Sequence, residues 1–187
     1  MKFNIDILKI DPEVETRRVA DFIADQTKNV YRRSGVVVGL SGGIDSAVMA
    51  AIAVRAVGTE HVTGLILPEK ESNPVSSSFA AKHARELGID FREVDITPTV
   101  DSVGGYNNRD AYIKSLVPEY EVGCKYNISL PTDLLERDSF NFYVLQVQIP
   151  DGSITKKRLG IDAFRAITSF ANIKIRSRMI HLYYEAE

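Results

Sequence analysis

Only one cysteine, Cys124, occurs in the 187 residues, which excludes an internal disulfide and any multi-cysteine zinc or C-x-x-C redox motif. Its thiol reads as buried or incidental. Net charge is also nearly absent: 23 Lys and Arg stand against 25 Asp and Glu, giving −2, so the basic excess used to bind nucleic acid or anionic membranes is missing. No apolar stretch approaches the length of a membrane span, and the opening Met1-Lys2-Phe3-Asn4-Ile5-Asp6 places an acid where a signal peptide needs uninterrupted apolar residues. A cytoplasmic protein is expected. His61, His83 and His181 are isolated in sequence and have no metal-ligand spacing, which favours surface or helix-capping roles. No Gly-x-x-x-x-Gly-Lys-Ser/Thr pattern occurs, so the Walker loop of many ATPases is excluded.

What is present is enough apolar material, 44% of residues, for one sizeable core, and the length favours a single domain over residues 1–187. Asp11-Pro12-Glu13 reads as a helix start, with the helix running to about Tyr31. Residues 35–40 form a short, β-branched apolar run that suits a buried parallel strand. Residues 44–57 are apolar and alanine-rich and stop at Gly58, as a helix would. The alternation repeats with a strand at 62–67, a helix at 76–87 closed by Gly88, and a strand at 90–96. This order predicts an α/β fold with a doubly wound parallel sheet and flanking helices.

Residues 97–160 are less regular and read as an insertion. Within it, 140–149 and 154–159 flank the turn Pro150-Asp151-Gly152-Ser153, predicting a β-hairpin. Gly104-Gly105-Tyr106-Asn107-Asn108 is the one stretch that reads as linker material. From Asp162 onward the pattern is helical, with Phe164, Ile167, Ala171, Ile175, Met179 and Leu182 on one apolar stripe.

The chemistry concentrates in Leu40-Ser41-Gly42-Gly43-Ile44-Asp45-Ser46-Ala47-Val48, placed where the first strand ends and a helix begins. Two glycines leave the backbone open to phosphate oxygens near the positive end of the helix dipole, and Ser41 and Ser46 add hydroxyls. Asp45 would repel phosphate on its own, so it implies a Mg2+ ion bridging it to a pyrophosphate.

Ser-Gly-Gly-x-Asp-Ser after an apolar strand resembles the PP-loop of enzymes that cleave ATP between the α and β phosphates. Residues 41–46 match it at every defined position. Two further segments resemble ammonia-dependent NAD synthetases. Gly64-Leu65-Ile66-Leu67-Pro68 with the serine-rich turn after it is similar to the segment that holds adenine, and Asn172-Ile173-Lys174-Ile175-Arg176-Ser177-Arg178-Met179 is similar to the substrate-contacting Asn-x-x-Ala-Arg-x-Arg-Met helix, with Ile175 in place of the alanine.

The resemblance implies a Rossmann-like fold of the adenine nucleotide alpha hydrolase type. ATP would lie at Ser41, Gly42, Gly43, Ile44, Asp45, Ser46, Ala47, Val48 and Leu67, assisted by Ser72 or Ser76, with Mg2+ on Asp45. Deamido-NAD would meet Asn172 and Arg176, and the protein would be a homodimer. ATP would adenylate the nicotinate carboxylate, and ammonia would displace AMP to give NAD, with no side-chain nucleophile or base. The family continues past the last helix with further phosphate- and Mg2+-binding parts, whereas this chain stops at Glu187. A truncated product or a degenerate paralogue is therefore expected. An amide ligase for another carboxylate and a noncatalytic nucleotide-binding module are the two competing readings.

Overall fold

The computed structural model describes residue 4, residues 8–130 and residues 142–187. They divide into two compact units, residues 1–96 with 178–187, and residues 97–177.

The first unit begins with α1 (Pro12–Asp25), where the Asp11 carboxylate accepts hydrogen bonds from the Glu13 and Val14 N–H groups at 3.0 and 3.2 Å and Pro12 takes the first turn. A π-helical stretch (Gln26–Val30) carries the helix on to the predicted end. There follow β1 (Val36–Gly39), α2 (Ile44–Val57), β2 (Val62–Ile66), α3 (Pro74–Leu87) and β3 (Asp90–Glu93). α2 has the expected bounds. α3 starts two residues earlier than expected, because Asn73 caps Val75 N–H at 3.0 Å and Pro74 fits the first helical turn.

The strands pair in parallel in the order β1-β2-β3, with Val36 opposite Val62 and Thr63 opposite Asp90. Ala50 and Ala53 of α2 and Ala80, Ala81 and Ala84 of α3 are small enough to bring both helices close onto Leu40, Val62 and Ile66, with Val36 and Val38 packed alongside. Side chains alternate across a strand, so Gly39 looks the other way. A Cβ there would lie 3.4 Å from Leu182 Cδ1, which puts the end of the last helix on the opposite face of the sheet. The result is a parallel sheet with helices on both faces.

The second unit holds α4 (Thr97–Ser102), α5 (Gly105–Leu116) and the antiparallel sheet β4 (Tyr126–Ser129), β5 (Val144–Gln148) and β6 (Ile154–Arg158). The β5–β6 hairpin turns at the predicted place, where the Asp151 carboxylate accepts from Ser153 N–H at 2.8 Å. Residues 140 and 141 of the predicted strand lie outside the described residues. The linker reading of residues 104–108 is corrected: Gly104 caps α5, and Tyr106 is among the most deeply buried side chains.

α6 (Ile161–Ala186) contributes residues 161–177 to the second unit and the remainder to the first. Its buried positions are Ala163, Ile167, Phe170 and Ser177, so the expected stripe is corrected as well. Ile167 is buried, but Ala171, Ile175 and Met179 are exposed. The buried face includes a serine, and reading apolar residues alone rotates the stripe around the helix. Among the described residues no helix is long and apolar enough to cross a membrane.

A polar network lies beside the core of the second unit. Tyr120, fully buried, donates its hydroxyl to Asp110 Oδ1 at 2.6 Å, and the same oxygen takes Nε and NH2 of Arg109 at 2.8 and 2.7 Å. Burial of the phenol, then its bond to and repulsion by the Asp110 carboxylate, push the Tyr120 pKa far above the ordinary tyrosine range. Above pH about 10 the unfolded chain releases a phenolic proton that the folded chain keeps, so this contribution to stability is complete below pH 10 and is lost as the pH rises. Urea midpoints measured from pH 8 to 11 are expected to fall with this extra slope in the wild type. Tyr120→Phe should lack that part of the slope while losing stability at neutral pH.

Candidate nucleotide site

The candidate phosphate loop leaves β1 and enters α2. Gly42 has φ +76°, and a Cβ built on it would lie 2.2 Å from the Ser76 carbonyl oxygen of α3. Glycine is therefore required both by conformation and by the close approach of α3.

The two serines fold the loop around themselves. Ser46 Oγ donates to the Gly43 carbonyl at 2.9 Å and accepts from Ser41 N–H at 3.1 Å. Since its one hydrogen is spent, the 3.0 Å contact between the two hydroxyls has Ser41 as donor. Ser41 Oγ in turn accepts Gly43 N–H at 3.2 Å. The Gly43 amide thus has a partner within the loop itself.

Beyond this ring, α2 opens with Gly43 as its N-cap and no side-chain cap, and its first i to i−4 bond runs from Ala47 N–H to Gly43 O at 3.2 Å. The N–H groups of Ile44, Asp45 and Ser46 therefore gain no partner from the helix itself and carry its positive end. A cleft of about 240 Å3 lies against this end, lined by Gly42, Gly43, Ser46 and Ala47 together with Phe79 and His83 of α3.

Ile44, Asp45 and Val48 are exposed in the first turns of α2, and Ala47 is half-buried. Among the described residues no three acidic, His or Cys side chains group to hold a metal. One exposed carboxylate beside a phosphate loop still suits Mg2+, which takes one or two carboxylates and completes its shell with phosphate oxygens and water.

Leu67 is buried just past β2, and its carbonyl accepts from Arg178 Nε at 3.0 Å. A second cleft of about 600 Å3 follows it, lined by Pro68, Glu69, Lys70, Ser72, Glu93 and Asp95 among others. Ser72 and Ser76, both considered as adenine contacts, are engaged in backbone architecture. Ser72 Oγ accepts from Glu69 N–H at 3.0 Å, and the Ser76 carbonyl packs on Gly42. Asn172 and Arg176 stand one turn apart on α6, both exposed, in the part of the helix that belongs to the second unit.

Two residues near the loop escape sequence reasoning. His83 is half-buried, and its Nε2–H donates to the Ala47 carbonyl at 3.1 Å, which ties α3 to the first turns of α2. This corrects the surface or capping role expected for it. Phe79 lines the same cleft. Phe79 and His83 stand four residues apart, as do their neighbours Ala80 and Ala84, a spacing that marks one face of α3 but not what that face meets.

The family model described as NAD synthase matches residues 15–135. The chain belongs to the NAD synthase family. Curated relatives include the NH(3)-dependent NAD(+) synthetase of Rhizobium meliloti, 40% identical over 99% of this chain and 55% of its own length. That of Mesorhizobium japonicum is 38% identical over 97% of this chain and 56% of its own. Among solved structures, the NH3-dependent NAD synthetase of Campylobacter jejuni aligns with TM-score 0.46 and 31% identity over 59% of this chain and 52% of that one. The chain spans about half the length of the curated NAD synthase relatives it matches. The rhizobial matches run through residues 97–160 as well, since they cover nearly all of the chain.

Proposed function

We propose that the chain is the ATP-binding part of an ammonia-dependent NAD synthetase acting in the cytoplasm. The observation that carries this reading is the loop of residues 41–46, with its left-handed Gly42 and the open start of α2 beside a cleft, in a chain of the NAD synthase family. Ser41 to Val48 hold the pyrophosphate end of ATP, Leu67 marks the adenine end, and Asp45 shares Mg2+ with the phosphates. Asn172 and Arg176 meet the deamido-NAD substrate.

In this reading the loop dipoles and Asp45-bound Mg2+ stabilise the charge that develops on departing pyrophosphate as the nicotinate carboxylate is adenylated. Ammonia then attacks the acyl-adenylate, AMP leaves, and no side chain is acylated. The insertion reading of residues 97–160 is retained as a proposal alongside it.

A homodimer is proposed too. Ile175, Met179, Ile180, Tyr183 and Tyr184 of α6 are exposed, more apolar surface than one helix of a monomer usually leaves uncovered. Sedimentation across micromolar concentrations should give a dimer, and a monomer throughout would remove this part.

The test of the nucleotide reading is calorimetric titration of ATP with and without Mg2+ into the wild type and Asp45→Asn. Magnesium is expected to tighten wild-type binding at least tenfold and to have little effect on the variant. An assay for pyrophosphate and NAD from deamido-NAD and ammonia follows. Equal magnesium dependence in both proteins would remove Asp45 from the metal site, and pyrophosphate release only with another carboxylic acid would replace the acceptor.

A further inference from the structure

We infer that Arg178 is a positioning residue for the nucleobase end of the site, holding the Leu67 peptide in the orientation that selects adenine. The inference rests on the ATP reading given above and assigns a residue to which that reading gives no role.

Carbonyl groups alternate sides along a parallel strand. Leu40 N–H of the β1 side donates to Leu65 O, while on the other side Val94 N–H donates to Ile66 O and Ile96 N–H to Pro68 O. The Leu67 carbonyl therefore points, like that of Leu65, toward β1. There the ladder has ended: the chain turns after Leu40 into the phosphate loop, and no next residue of β1 arrives to satisfy this oxygen. A buried carbonyl left unpaired at that point would be costly.

Arg178 meets the need from 111 residues away, with Nε at 3.0 Å. The peptide it holds is unusual, because its nitrogen belongs to Pro68 and carries no hydrogen, so the Leu67 oxygen is its only hydrogen-bonding handle. Whatever fixes that oxygen fixes the plane of the peptide. A carbonyl has two lone pairs; Arg178 uses one and leaves the other as an acceptor. An acceptor held rigidly at the adenine end suits the exocyclic amino group of adenine and repels the carbonyl oxygen that guanine carries in its place.

The planar guanidinium gives the bond a direction that an ammonium on a flexible stem lacks. Arg178 thus acts through Leu67 and not through the triphosphate.

Arg178→Met and Arg178→Lys in the full chain test this, with titrations of MgATP, MgGTP and Mg-pyrophosphate and with circular dichroism to confirm folding. In Arg178→Met, ATP affinity is expected to fall about ten- to hundredfold, the size of one hydrogen bond to a charged partner. The preference for ATP over GTP should fall by a similar factor while pyrophosphate affinity stays within twofold. Arg178→Lys keeps the charge and should lose the preference too. Unchanged ATP affinity and preference in Arg178→Met would overturn the inference. So would a parallel loss of ATP and pyrophosphate with the preference intact, which marks a purely structural arginine. Failure of the folded wild type to bind ATP would instead remove the underlying reading, an outcome the wild-type arm reports separately.

Discussion

Gly42→Ala is expected to weaken MgATP binding at least a hundredfold and to lower stability by about 2–6 kcal/mol, the sum of a strained backbone and a steric conflict. The first cost arises because φ is +76° there, a region where a Cβ meets its own carbonyl. The second arises because that Cβ would stand 2.2 Å from the Ser76 carbonyl oxygen. This neighbour is backbone in the first turn of α3 and cannot rotate away as a side chain would. Either the loop lifts off α3 or α3 shifts, and in both cases the ring formed by Ser41, Gly43 and Ser46 opens. Gly152→Ala separates the two costs, since Gly152 also has positive φ, +88°, but nothing within 4 Å of an added Cβ. It should lose only the conformational part, about 1–2 kcal/mol, and leave nucleotide affinity unchanged. Urea midpoints and MgATP titrations of both variants decide the matter. Wild-type affinity in a folded Gly42→Ala protein would mean that the nucleotide is held elsewhere.

The second large effect belongs to Arg109, a charged residue only 4% exposed, with its guanidinium 4.3 Å from the Phe170 ring centre. Its partner Asp110 is itself mostly buried, at 13% side-chain exposure. Replacing Arg109 with leucine leaves that carboxylate without its cation, and such truncations of buried pairs cost about 3–5 kcal/mol. With a urea slope of about 1–3 kcal/mol per molar, the unfolding midpoint should drop by at least 1 M. The double variant Arg109→Leu/Asp110→Asn removes both charges and should recover part of the loss, as coupled neighbours do. A single variant within 1 kcal/mol of wild type would show that the pair is well solvated. A double variant as weak as the sum of its singles would show that the two groups are not coupled.

How much of this was legible in the sequence depended on how local each feature is. α2 was bounded correctly because glycines stand on both sides of an unbroken apolar, alanine-rich run. The strand, turn and helix around the candidate phosphate loop were legible for the same reason, since they are contiguous. α5 was missed because Gly104, Gly105, Asn107 and Asn108 are poor helix formers, and what holds the helix is the burial of Tyr106 and Ile113, a tertiary effect that overrides local propensity. On α6 the buried face carries Ser177, while Ile175 and Met179 are exposed, so hydrophobicity pointed to the wrong side. The contacts of His83 with Ala47, of Ser76 with Gly42 and of Arg178 with Leu67 join residues between 34 and 111 positions apart. No spacing rule reaches that far.

If the loop holds the pyrophosphate end of ATP as proposed, the bond from Gly43 N–H to Ser41 Oγ bears on turnover. A loop that satisfies its own amide keeps its shape while empty, so an arriving phosphate finds a rigid mould and spends little on ordering it. The phosphate must then displace the serine hydroxyl, trading one hydrogen bond for another, and it gains only their difference, on the order of 1 kcal/mol. On that reading the hydroxyl would return when pyrophosphate departs, and no amide would be stranded. Such a loop would trade tight holding for quick release, and a Mg2+ ion on Asp45, as proposed, would carry more of the grip than the backbone.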